Sequence, residues 1–383
     1  MITKGKAVCF VALCAVLSVR AFAGAVSIVA PGDGSIVPLL SADQKAYLSM
    51  RREERREQFA YGSARLRIAE FGGKPQKVRL RWRIDPEDVG LPVRYSVRVK
   101  SRRDGKVFWT GETEKTFALI ENLEIASTYD WTVTAHFNGG EAMAGGSFTT
   151  EDCAPRMIHL HGVPNMRDIG GRIGLGGRRV RQGLIYRSAG LNDNAKKNDG
   201  GWTPGKIRVD EATRKYATEV LGIKTDIDIR TDDECHGMTG SPLGPGVAWL
   251  HLPSAAYANF HRKKGKAKFA KVFRALLDSK RYPLVIHCIA GADRTGSLAF
   301  TLEALLGVEE EELYRDWEVT GFSNKAKMAF QHETRFDHLV KGFDAYPGKT
   351  INERVEAFVV SCGFTADDIA RFRSIMLEGG DAK

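Results

Sequence analysis

The sequence predicts a multidomain chain in which an all-β sandwich is followed by an α/β domain with a central, mostly parallel sheet. Residues 75–150 alternate apolar and polar side chains with a period of two, which is typical of half-buried antiparallel strands. After residue 155, short apolar runs alternate with helical patterns, as expected when helices cover a parallel sheet. The length of 383 residues suits about two domains.

The first 23 residues have the composition of a secretory signal peptide. Lys4 and Lys6 precede an apolar stretch over 7–19, and Ala21-Phe22-Ala23 has the small-x-small pattern of a cleavage site. The apolar stretch is shorter than the ~20 residues that a membrane span needs. We therefore expect a mature protein that begins at Gly24, is periplasmic or extracellular, and has no membrane span.

The predicted N-terminal domain covers residues 24–150 and contains about seven strands, as in immunoglobulin-like sandwiches. Its clearest alternating runs lie at 78–84, 93–99 and 129–135. The spacing from Leu123 to Tyr129, with the alternation that follows, resembles the tyrosine-corner segment of fibronectin type III domains. A charged helical insertion near 41–60 departs from that pattern, and its charges at 51–57 are spaced for i,i+4 pairs within the helix.

The second predicted domain covers residues 151–383 and contains a loop suited to phosphate. The sequence His287-Cys288-Ile289-Ala290-Gly291-Ala292-Asp293-Arg294-Thr295-Gly296-Ser297 joins the apolar run 284–286 to a helical pattern. At such a junction the unpaired N–H groups and the helix dipole favour an anion and a thiolate nucleophile. Arg294 supplies a planar fork for two phosphate oxygens, and Gly291 and Gly296 allow the backbone to curl.

The loop resembles the signature loop of the cysteine-dependent protein tyrosine phosphatases, and its Asp before Arg resembles the bacterial group. Two further segments are similar to motifs of the same group: Asn165 to Gly171 followed by Gly183 to Ser188, and Asp226 to Arg230 with Glu234. The resemblance covers roughly residues 155–375. It implies an enzyme, a phosphoric monoester hydrolase that acts on a phosphorylated protein or small molecule.

The candidate site residues follow from the loop and from this resemblance. Cys288 is the predicted nucleophile, which forms a thiophosphate, and Thr295 is placed to give its hydroxyl to the departing sulfur or to cap the helix. His287 supports the loop by resemblance, or is a core histidine. The remaining candidates for the phosphate site are Ile289, Ala290, Gly291, Ala292 and Gly296 in the loop, and Asn165, Arg167, Asp168 and Arg230 around it. Of these, Asn165, Arg167 and Asp168 are expected to form the floor of the pocket or to brace the loop.

The leaving oxygen needs a proton from a nearby carboxylic acid, and the sequence offers two candidates. No Trp-Pro-Asp motif is present, although larger tyrosine phosphatases take their acid from such a loop. The resemblance to the bacterial group favours Asp293. Asp228 is the rival, although Asp228 and Arg230 could equally be a structural pair that holds the loop.

The distribution of charge leaves the substrate open. The formal charge is +10, and two acid-free basic stretches lie at Ile169–Asn192 and His261–Leu277. They are either solvated faces or an electropositive rim that attracts polyanions. By resemblance, Ala292 stands where much of the group has a lysine associated with activity on phosphoinositides, which lowers the expectation of that activity.

Several classes of function lack support in the sequence. No nucleic-acid reading module is present, and neither a metal nor another cofactor is predicted. Cys153, Cys235 and Cys362 are not spaced as a disulfide framework or a metal site.

Three alternatives to a protein tyrosine phosphatase remain. An inositol-polyphosphate phosphatase on the same scaffold is favoured by the basic stretches. A catalytically inactive binding or adhesion protein is disfavoured by the retention of Cys288, Asp293, Arg294 and Thr295. A sulfurtransferase is disfavoured because its loop is typically one residue shorter. The N-terminal sandwich is a candidate for contact with the envelope or with glycans, and we expect it to be dispensable for turnover.

Overall fold

A computed structural model of the protein describes residues 20–21, 25–60, 73–85, 91–323 and 333–379. Nearly all of the predicted signal peptide lies outside these ranges, so its assignment stays a prediction. Within the described residues, no helix combines the length and the apolar character that crossing a bilayer requires.

The N-terminal part of the chain forms two β-sheets that face each other. One sheet has the order β1-β9-β8-β5-β6, with β3 also paired to β9, and the other has the order β2-β4-β7. Trp82 of one sheet and Trp131 of the other meet at 6.5 Å between ring centroids. The strands are β1 Arg20–Ala21, β2 Val26–Ala30, β3 Ser35–Val37, β4 Val78–Ile84, β5 Arg94–Ser101, β6 Val107–Thr113, β7 Phe117–Ile120, β8 Thr128–Phe137 and β9 Gly140–Thr150.

The predicted period-two alternation describes these strands correctly. In β4, Val78, Leu80 and Trp82 are buried while the arginines between them are exposed. The Glu124 N–H donates to the hydroxyl of Tyr129 at 2.9 Å, which is the hydrogen bond that a tyrosine corner requires. Assignment of the sandwich to the fibronectin type III type nevertheless stays a prediction.

The predicted helical insertion is present between β3 and β4 as α1, Ala42–Ser49, and α2, Arg52–Ala60. Ser41 and Gln44 begin α1 with a reciprocal capping box. The insertion packs against the C-terminal half of the chain rather than standing in solvent. Its apolar contacts form one buried cluster, whose members are Leu40, Tyr47, Leu48, Met157, Val319 and Phe322.

The C-terminal part contains a five-stranded sheet with the order β10-β11-β16-β14-β15. The pairs β11–β16, β16–β14 and β14–β15 are parallel, and only β10 is antiparallel, as predicted. The strand that leads to the loop, β16, is therefore central, and all four of its residues are buried. The strands are β10 Arg167–Asp168, β11 Ile185–Ser188, β12 Lys196–Asn198, β13 Gly201–Thr203, β14 Thr225–Asp228, β15 Ala248–His251 and β16 Leu284–His287, with β12 and β13 forming a separate hairpin.

Helices surround this sheet and bury an extended aromatic and aliphatic core. A π-helical turn, Tyr216–Val220, continues the first of these helices, and a 3₁₀ turn, Tyr257–Phe260, precedes the second. The helices are α3 Glu211–Lys215, α4 Lys263–Leu276, α5 Arg294–Leu305, α6 Glu310–Glu318, α7 Glu333–Gly342, α8 Ile351–Ser361 and α9 Ala366–Met376.

The two halves of the chain are joined by buried polar contacts. Arg156 Nε donates to the carbonyl of Leu123 at 3.1 Å, and the side chain of Gln182 bonds both to the N–H and to the carbonyl of Ile125. The sandwich ends with β9 at Thr150. The division into domains at residues 150 and 151 itself stays a prediction.

Candidate active site

The loop after the central strand is held by its own carbonyl groups. Residues 288–293 link β16 to α5, and three successive carbonyl oxygens accept hydrogen bonds from the surrounding scaffold. Outward carbonyls leave the N–H groups on the inner side, and within the described residues the N–H groups of 289–292 have no protein acceptor. Such a nest of donors suits an anion. The Ile289 carbonyl accepts from the Gly190 N–H at 3.1 Å, the Ala290 carbonyl from Asn165 Nδ2 at 2.9 Å, and the Gly291 carbonyl from Arg187 Nη2 at 2.7 Å.

Two glycines are required by close packing, one in the loop and one in α5. Gly291 has φ +68°, and a Cβ atom there would lie 2.5 Å from the Ser188 carbonyl oxygen. A Cβ atom on Gly296 would lie 2.8 Å from the ring of Trp317. The predicted curl of the loop therefore has a steric basis at Gly291, whereas Gly296 belongs to α5 and makes room for Trp317.

The predicted nucleophile and phosphate-binding arginine stand at opposite ends of the loop. Cys288 is buried, and Arg294, the first residue of α5, is partly exposed. Glu234 accepts two hydrogen bonds from Arg294, at 2.6 and 3.0 Å. Burial lowers the pKa of Arg294, but Glu234 and Cys288 outweigh it and hold the pKa above its ordinary value. Glu234 thus fixes the guanidinium plane at the loop.

His287 is a fully buried cation beneath the loop. Its Nε2 lies 2.9 Å from Asp226 Oδ1, and its Nδ1 lies 3.9 Å from Asp228 Oδ1. Burial lowers the pKa of His287, but the carboxylates of Asp228 and Asp226 raise it to about 9. The imidazole is therefore protonated at neutral pH and ties the end of β16 to β14, which suits the predicted supporting role.

Asp228 and Arg230 occupy different roles from those predicted. Both are fully buried, and Arg230 Nε and Nη2 bond to the Asp228 carboxylate at 2.9 and 2.6 Å. Although burial raises the pKa of Asp228, His287 and Arg230 lower it well below its ordinary range. An ionised carboxylate saturated by an arginine is a poor proton donor. The structure therefore corrects Asp228 from catalytic acid, and Arg230 from substrate ligand, to the structural pair that the sequence left as an alternative.

Asn165 and Arg167 brace the loop from below. Asn165 Nδ2 donates to the Ala290 carbonyl, while Arg167 Nη1 donates to Asn165 Oδ1 at 2.7 Å. Arg167 and Arg187 both bond to the buried carboxylate of Asp316. The predicted bracing role thus fits the geometry, and Asp316, which the sequence did not single out, is the anion that holds these arginines together.

Asp168 does not reach the phosphate site. Its carboxylate is fully buried and accepts from Arg156 Nη1 at 2.9 Å, from the Gly170 N–H at 2.8 Å and from the Gly183 N–H at 2.5 Å. Gly170 and Gly183 lie in the segment between β10 and β11, Arg156 precedes β10, and none of the three belongs to the loop. The prediction that Asp168 binds substrate is corrected to a structural role.

Asp293 is the carboxylate that the structure brings to the mouth of the loop. It is partly exposed, and one of its oxygens accepts a hydrogen bond from the hydroxyl of Tyr257. Ser297 Oγ accepts from the Tyr257 N–H at 3.0 Å and donates to the Asp293 carbonyl at 2.9 Å. Tyr257 adopts φ +55°, which is unusual outside glycine. This closed ring of contacts fixes the Asp293 side chain beside Arg294.

Comparison with known families decides the identity of this region. The sequence profile of the tyrosine phosphatase family matches residues 158–201 and 206–378, which together are more than half of the chain. The chain belongs to the tyrosine phosphatase family. This match confirms the predicted family, and with it the enzyme class of the matched region, a phosphoric monoester hydrolase.

Individual relatives of the phosphatase are distant. A Cupriavidus necator protein named "putative tyrosine-protein phosphatase" is 27% identical over 182 residues, which are 40% of this chain and 59% of that protein. The catalytic core of the PP-IP phosphatase Siw14 from S. cerevisiae is 15% identical over 42% of this chain and 86% of its own, with a TM-score of 0.26. An engineered protein is 18% identical over 33% of this chain and 19% of its own, with a TM-score of 0.19. The structural matches are too weak to carry an argument.

Thr295 is the phosphatase residue whose predicted role stays open. It is the second residue of α5 and is 1% exposed, and its hydroxyl has no hydrogen-bond partner among the described residues. Donation from Thr295 to the departing sulfur therefore stays a prediction.

A pocket opens beside the phosphatase loop and contains residues that the sequence did not indicate. Its volume is about 390 Å³, and Asp293 and Arg294 line it together with residues 256–259. From α7, Arg335 and His338 line the same pocket, and both are exposed. No motif surrounds these two residues in the sequence, and their spacing of three along a helix is the only signal that they share a face.

The two basic stretches do not form the rim of this pocket. In the first, Arg172 and Arg187 are buried in ion pairs with Glu303 and Asp316. In the second, the lysines of α4 alternate with the buried Phe269 and its apolar neighbours, as on the solvated face of an amphipathic helix. The basic residues of His261–Leu277 therefore form a solvated face, whereas part of those in Ile169–Asn192 are buried in structural ion pairs.

Cys153, Cys235, Cys288 and Cys362 all have free thiols. Burial raises the pKa of Cys235, the Asp228 carboxylate raises it further, and the Cys235 thiol donates to that carboxylate at 3.3 Å. Cys235 therefore stays a thiol and is poorly suited to act as a reactive thiolate. In the described ranges no three His, Cys, Asp or Glu side chains form a group that could hold a metal.

Proposed function

We propose that the protein is an exported phosphatase that hydrolyses phosphomonoesters, phosphotyrosine among them, through a Cys288 thiophosphate. One observation carries the proposal: the loop between Cys288 and Arg294 turns three carbonyls into the scaffold, and the N–H groups of 289–292 have no acceptor in the part of the chain that the structure describes. A phosphate dianion placed there meets those donors and the guanidinium of Arg294. Cys288 then lies at the base of the anion site.

The proposed reaction has two displacements. In the first, the Cys288 thiolate attacks phosphorus, the P–S bond forms and the ester P–O bond breaks. The departing oxygen takes a proton from Asp293. In the second, a water oxygen attacks phosphorus and gives a proton to the Asp293 carboxylate, while the P–S bond breaks and the thiolate returns. Inorganic phosphate is the product, and the Thr295 hydroxyl is the proposed donor to the departing sulfur.

The geometry favours Asp293 over Asp228 as the acid. Asp293 lines the pocket beside Arg294 and is partly exposed, whereas Asp228 is fully buried against Arg230. A general acid must reach the ester oxygen within hydrogen-bond distance. Only Asp293 of this pair is accessible to a substrate in the pocket.

The test is hydrolysis of phenyl phosphate and 4-nitrophenyl phosphate by the full mature chain in reductant. We expect Cys288→Ser to abolish turnover of both substrates. Cys362→Ser, at the end of α8 away from the loop, is the matched control and should retain wild-type rates. Asp293→Asn should slow phenyl phosphate by ~10²-fold and 4-nitrophenyl phosphate much less, because a good leaving group needs no proton.

Two results would overturn the proposal. A folded wild-type chain without turnover of either substrate would favour the binding or adhesion protein instead. Retained turnover in Cys288→Ser would exclude the thiophosphate.

The rest of the proposal concerns the N-terminal region. We assign a signal peptide to residues 1–23 and a fibronectin type III-like sandwich to the following segment, supported by the hydrogen bond from the Glu124 N–H to Tyr129. Contact of the sandwich with envelope or glycan surfaces belongs to the same proposal. Cell fractionation and N-terminal sequencing test export: a cytosolic protein that retains Met1 would contradict it.

A further inference from the structure

The pocket beside the catalytic loop is lined by two arginines, Arg294 and Arg335, which differ in their ion pairing. On one side, Arg294 is held by two hydrogen bonds to Glu234. On the other side, Arg335 is exposed, and in the described part of the chain no carboxylate pairs with it. His338 lies three residues further along the same helix and lines the same pocket. Arg335 therefore has its full hydrogen-bonding capacity for a ligand.

The helix that carries Arg335 is firmly seated. The ring of Phe336 stacks on Trp317 with centroids 4.2 Å apart, and His261 Nε2 lies 2.7 Å from the Leu339 carbonyl oxygen. Phe336 and Leu339 are buried, so the neighbouring positions 335 and 338 face the pocket. The rigid helix fixes the backbone of Arg335 beside the pocket, so a ligand has to order only its side chain and not the segment that carries it.

The N-terminal insertion holds this helix from another side. Asp337 accepts from Arg52 Nη2 at 3.4 Å and from Arg56 Nη2 at 2.8 Å, and both arginines belong to α2. The carboxylate of Asp337 is therefore engaged away from Arg335.

Arg335 lies close to the residue that positions Asp293. Burial raises the pKa of Tyr257, the Asp293 carboxylate raises it further, and Arg335 opposes the rise. Tyr257 donates its hydroxyl hydrogen to Asp293, and all three residues line the same pocket. An anion bound by Arg335 would thus sit beside a phosphate bound at Arg294.

We infer that Arg335 and His338 form a second anion-binding subsite, and that the substrate is a small phosphomonoester that carries a second phosphate. The inference rests on the proposed phosphatase function. The pocket of about 390 Å³ meets the loop at Asp293 and Arg294, and it has room for a ring that carries a second phosphate at Arg335. Arginine is suited to the second phosphate because its planar fork binds two of its oxygens.

The experiment compares kcat/KM for phenyl phosphate with kcat/KM for the 1,3- and 1,4-phenylene bisphosphates, which have similar leaving groups. We expect the wild-type chain to prefer at least one bisphosphate, and Arg335→Gln to reduce that preference by roughly three- to tenfold. The preference is the ratio of two kcat/KM values measured on one variant, so an effect of Arg335 on Tyr257 that is common to both substrates cancels. Lys341→Gln is the matched control, because Lys341 is exposed on the same helix but does not line the pocket.

Each other outcome has a defined meaning. Equal kcat/KM for mono- and bisphosphates, or equal losses in Arg335→Gln and Lys341→Gln, would overturn the subsite while leaving the phosphatase proposal intact. A loss confined to phosphotyrosine peptides with acidic neighbours would overturn the small-molecule substrate class. Absence of turnover for all substrates would instead overturn the phosphatase proposal itself.

Discussion

The buried side chain of Arg55 provides the sharpest test of how the two halves of this phosphatase are joined. Arg55 lies in α2 of the insertion and is fully buried. It pairs with Glu318 at the end of α6, and its Nη1 lies 2.7 Å from Glu311 Oε1 and 2.6 Å from the Met50 carbonyl oxygen. Replacement by methionine keeps much of the volume but leaves Glu318 in a buried site without its cation.

The magnitude follows from burial and from the state of Glu318. Removing one partner of a buried ion pair costs about 3–5 kcal/mol, and Glu318 has a side chain only 7% exposed. Burial raises the pKa of Glu318 to about 7 even though Arg55 lowers it. We therefore expect Arg55→Met to lower the free energy of unfolding by about 3–5 kcal/mol at about pH 8.

The same reasoning predicts a dependence on pH. The pKa of Glu318 is higher in the folded chain than its ordinary value of 4.5. Its contribution to stability is therefore fully present below the ordinary value and is lost as the pH rises through about 7. At about pH 5 Glu318 is protonated, so the cost of Arg55→Met should fall to about 1–2 kcal/mol, which reflects lost packing and hydrogen bonds.

The assay is urea denaturation of the full chain at both pH values, followed by tryptophan fluorescence. Arg51→Met is the control, because Arg51 is 79% exposed and bonds only to Glu54 among the described residues, and it should cost less than ~0.5 kcal/mol. Adding Glu318→Gln to Arg55→Met should restore much of the stability at about pH 8. The reasoning is refuted if Arg55→Met costs the same at both pH values, or if the double variant is no more stable than the single one.

Three further predictions concern the phosphatase site. Tyr257→Phe removes the hydroxyl that positions Asp293 and should slow hydrolysis of phenyl phosphate ~3- to 10-fold while sparing that of 4-nitrophenyl phosphate. An equal loss of rate for both substrates, relative to the wild type, would count against this role. Glu234→Gln loosens the orientation of Arg294 and should lower kcat/KM for phenyl phosphate ~10-fold in steady-state assays, so an unchanged KM and kcat would contradict it. Asp316→Asn removes the charge that three buried arginines share and should lower the free energy of unfolding by about 3 kcal/mol in urea denaturation at neutral pH. A variant that unfolds at the same urea concentration as the wild type would contradict this prediction.

The sequence predicts the catalytic loop well because its chemistry is local. Cys288 and Arg294 are six positions apart, and a strand on one side and a helix on the other suffice to place both at one anion site. The alternation of β4 and the burial of β16 also follow from patterns within a few residues, whereas the central position of β16 depends on pairing with β11 and β14.

The roles of acidic residues were harder to predict because they depend on burial. Asp228 follows a strand, as a catalytic acid can, but its carboxylate is saturated by Arg230 and fully enclosed. Asp168 lies in a family motif, but its carboxylate forms a buried ion pair with Arg156. A sequence shows which carboxylates are near the loop along the chain, whereas the choice between acid and structural anion depends on partners distant in sequence.

The pocket rim depends entirely on distant contacts. Arg335 follows Arg294 by 41 positions and lies outside every motif, and only the packing of α7 brings the two arginines to one pocket. The charged insertion shows the same limitation, because α2 was expected to pair its charges within the helix. Within the described residues, Arg51 pairs locally with Glu54, whereas Arg52 and Arg55 pair with carboxylates of α6 and α7.

These contacts argue against a dispensable N-terminal region. The arginines of α2 neutralise Glu318 at the end of α6 and Asp337 in the middle of α7. Helix α6 also carries Asp316, the anion that holds Arg187 against the Gly291 carbonyl of the catalytic loop. Because Asp316 and Glu318 are two positions apart, loss of α2 would leave a carboxylate without its cation on the same helix that braces the loop. The insertion is therefore part of the support of the active site, and the location of the chemical motifs after residue 155 does not make the preceding segment optional.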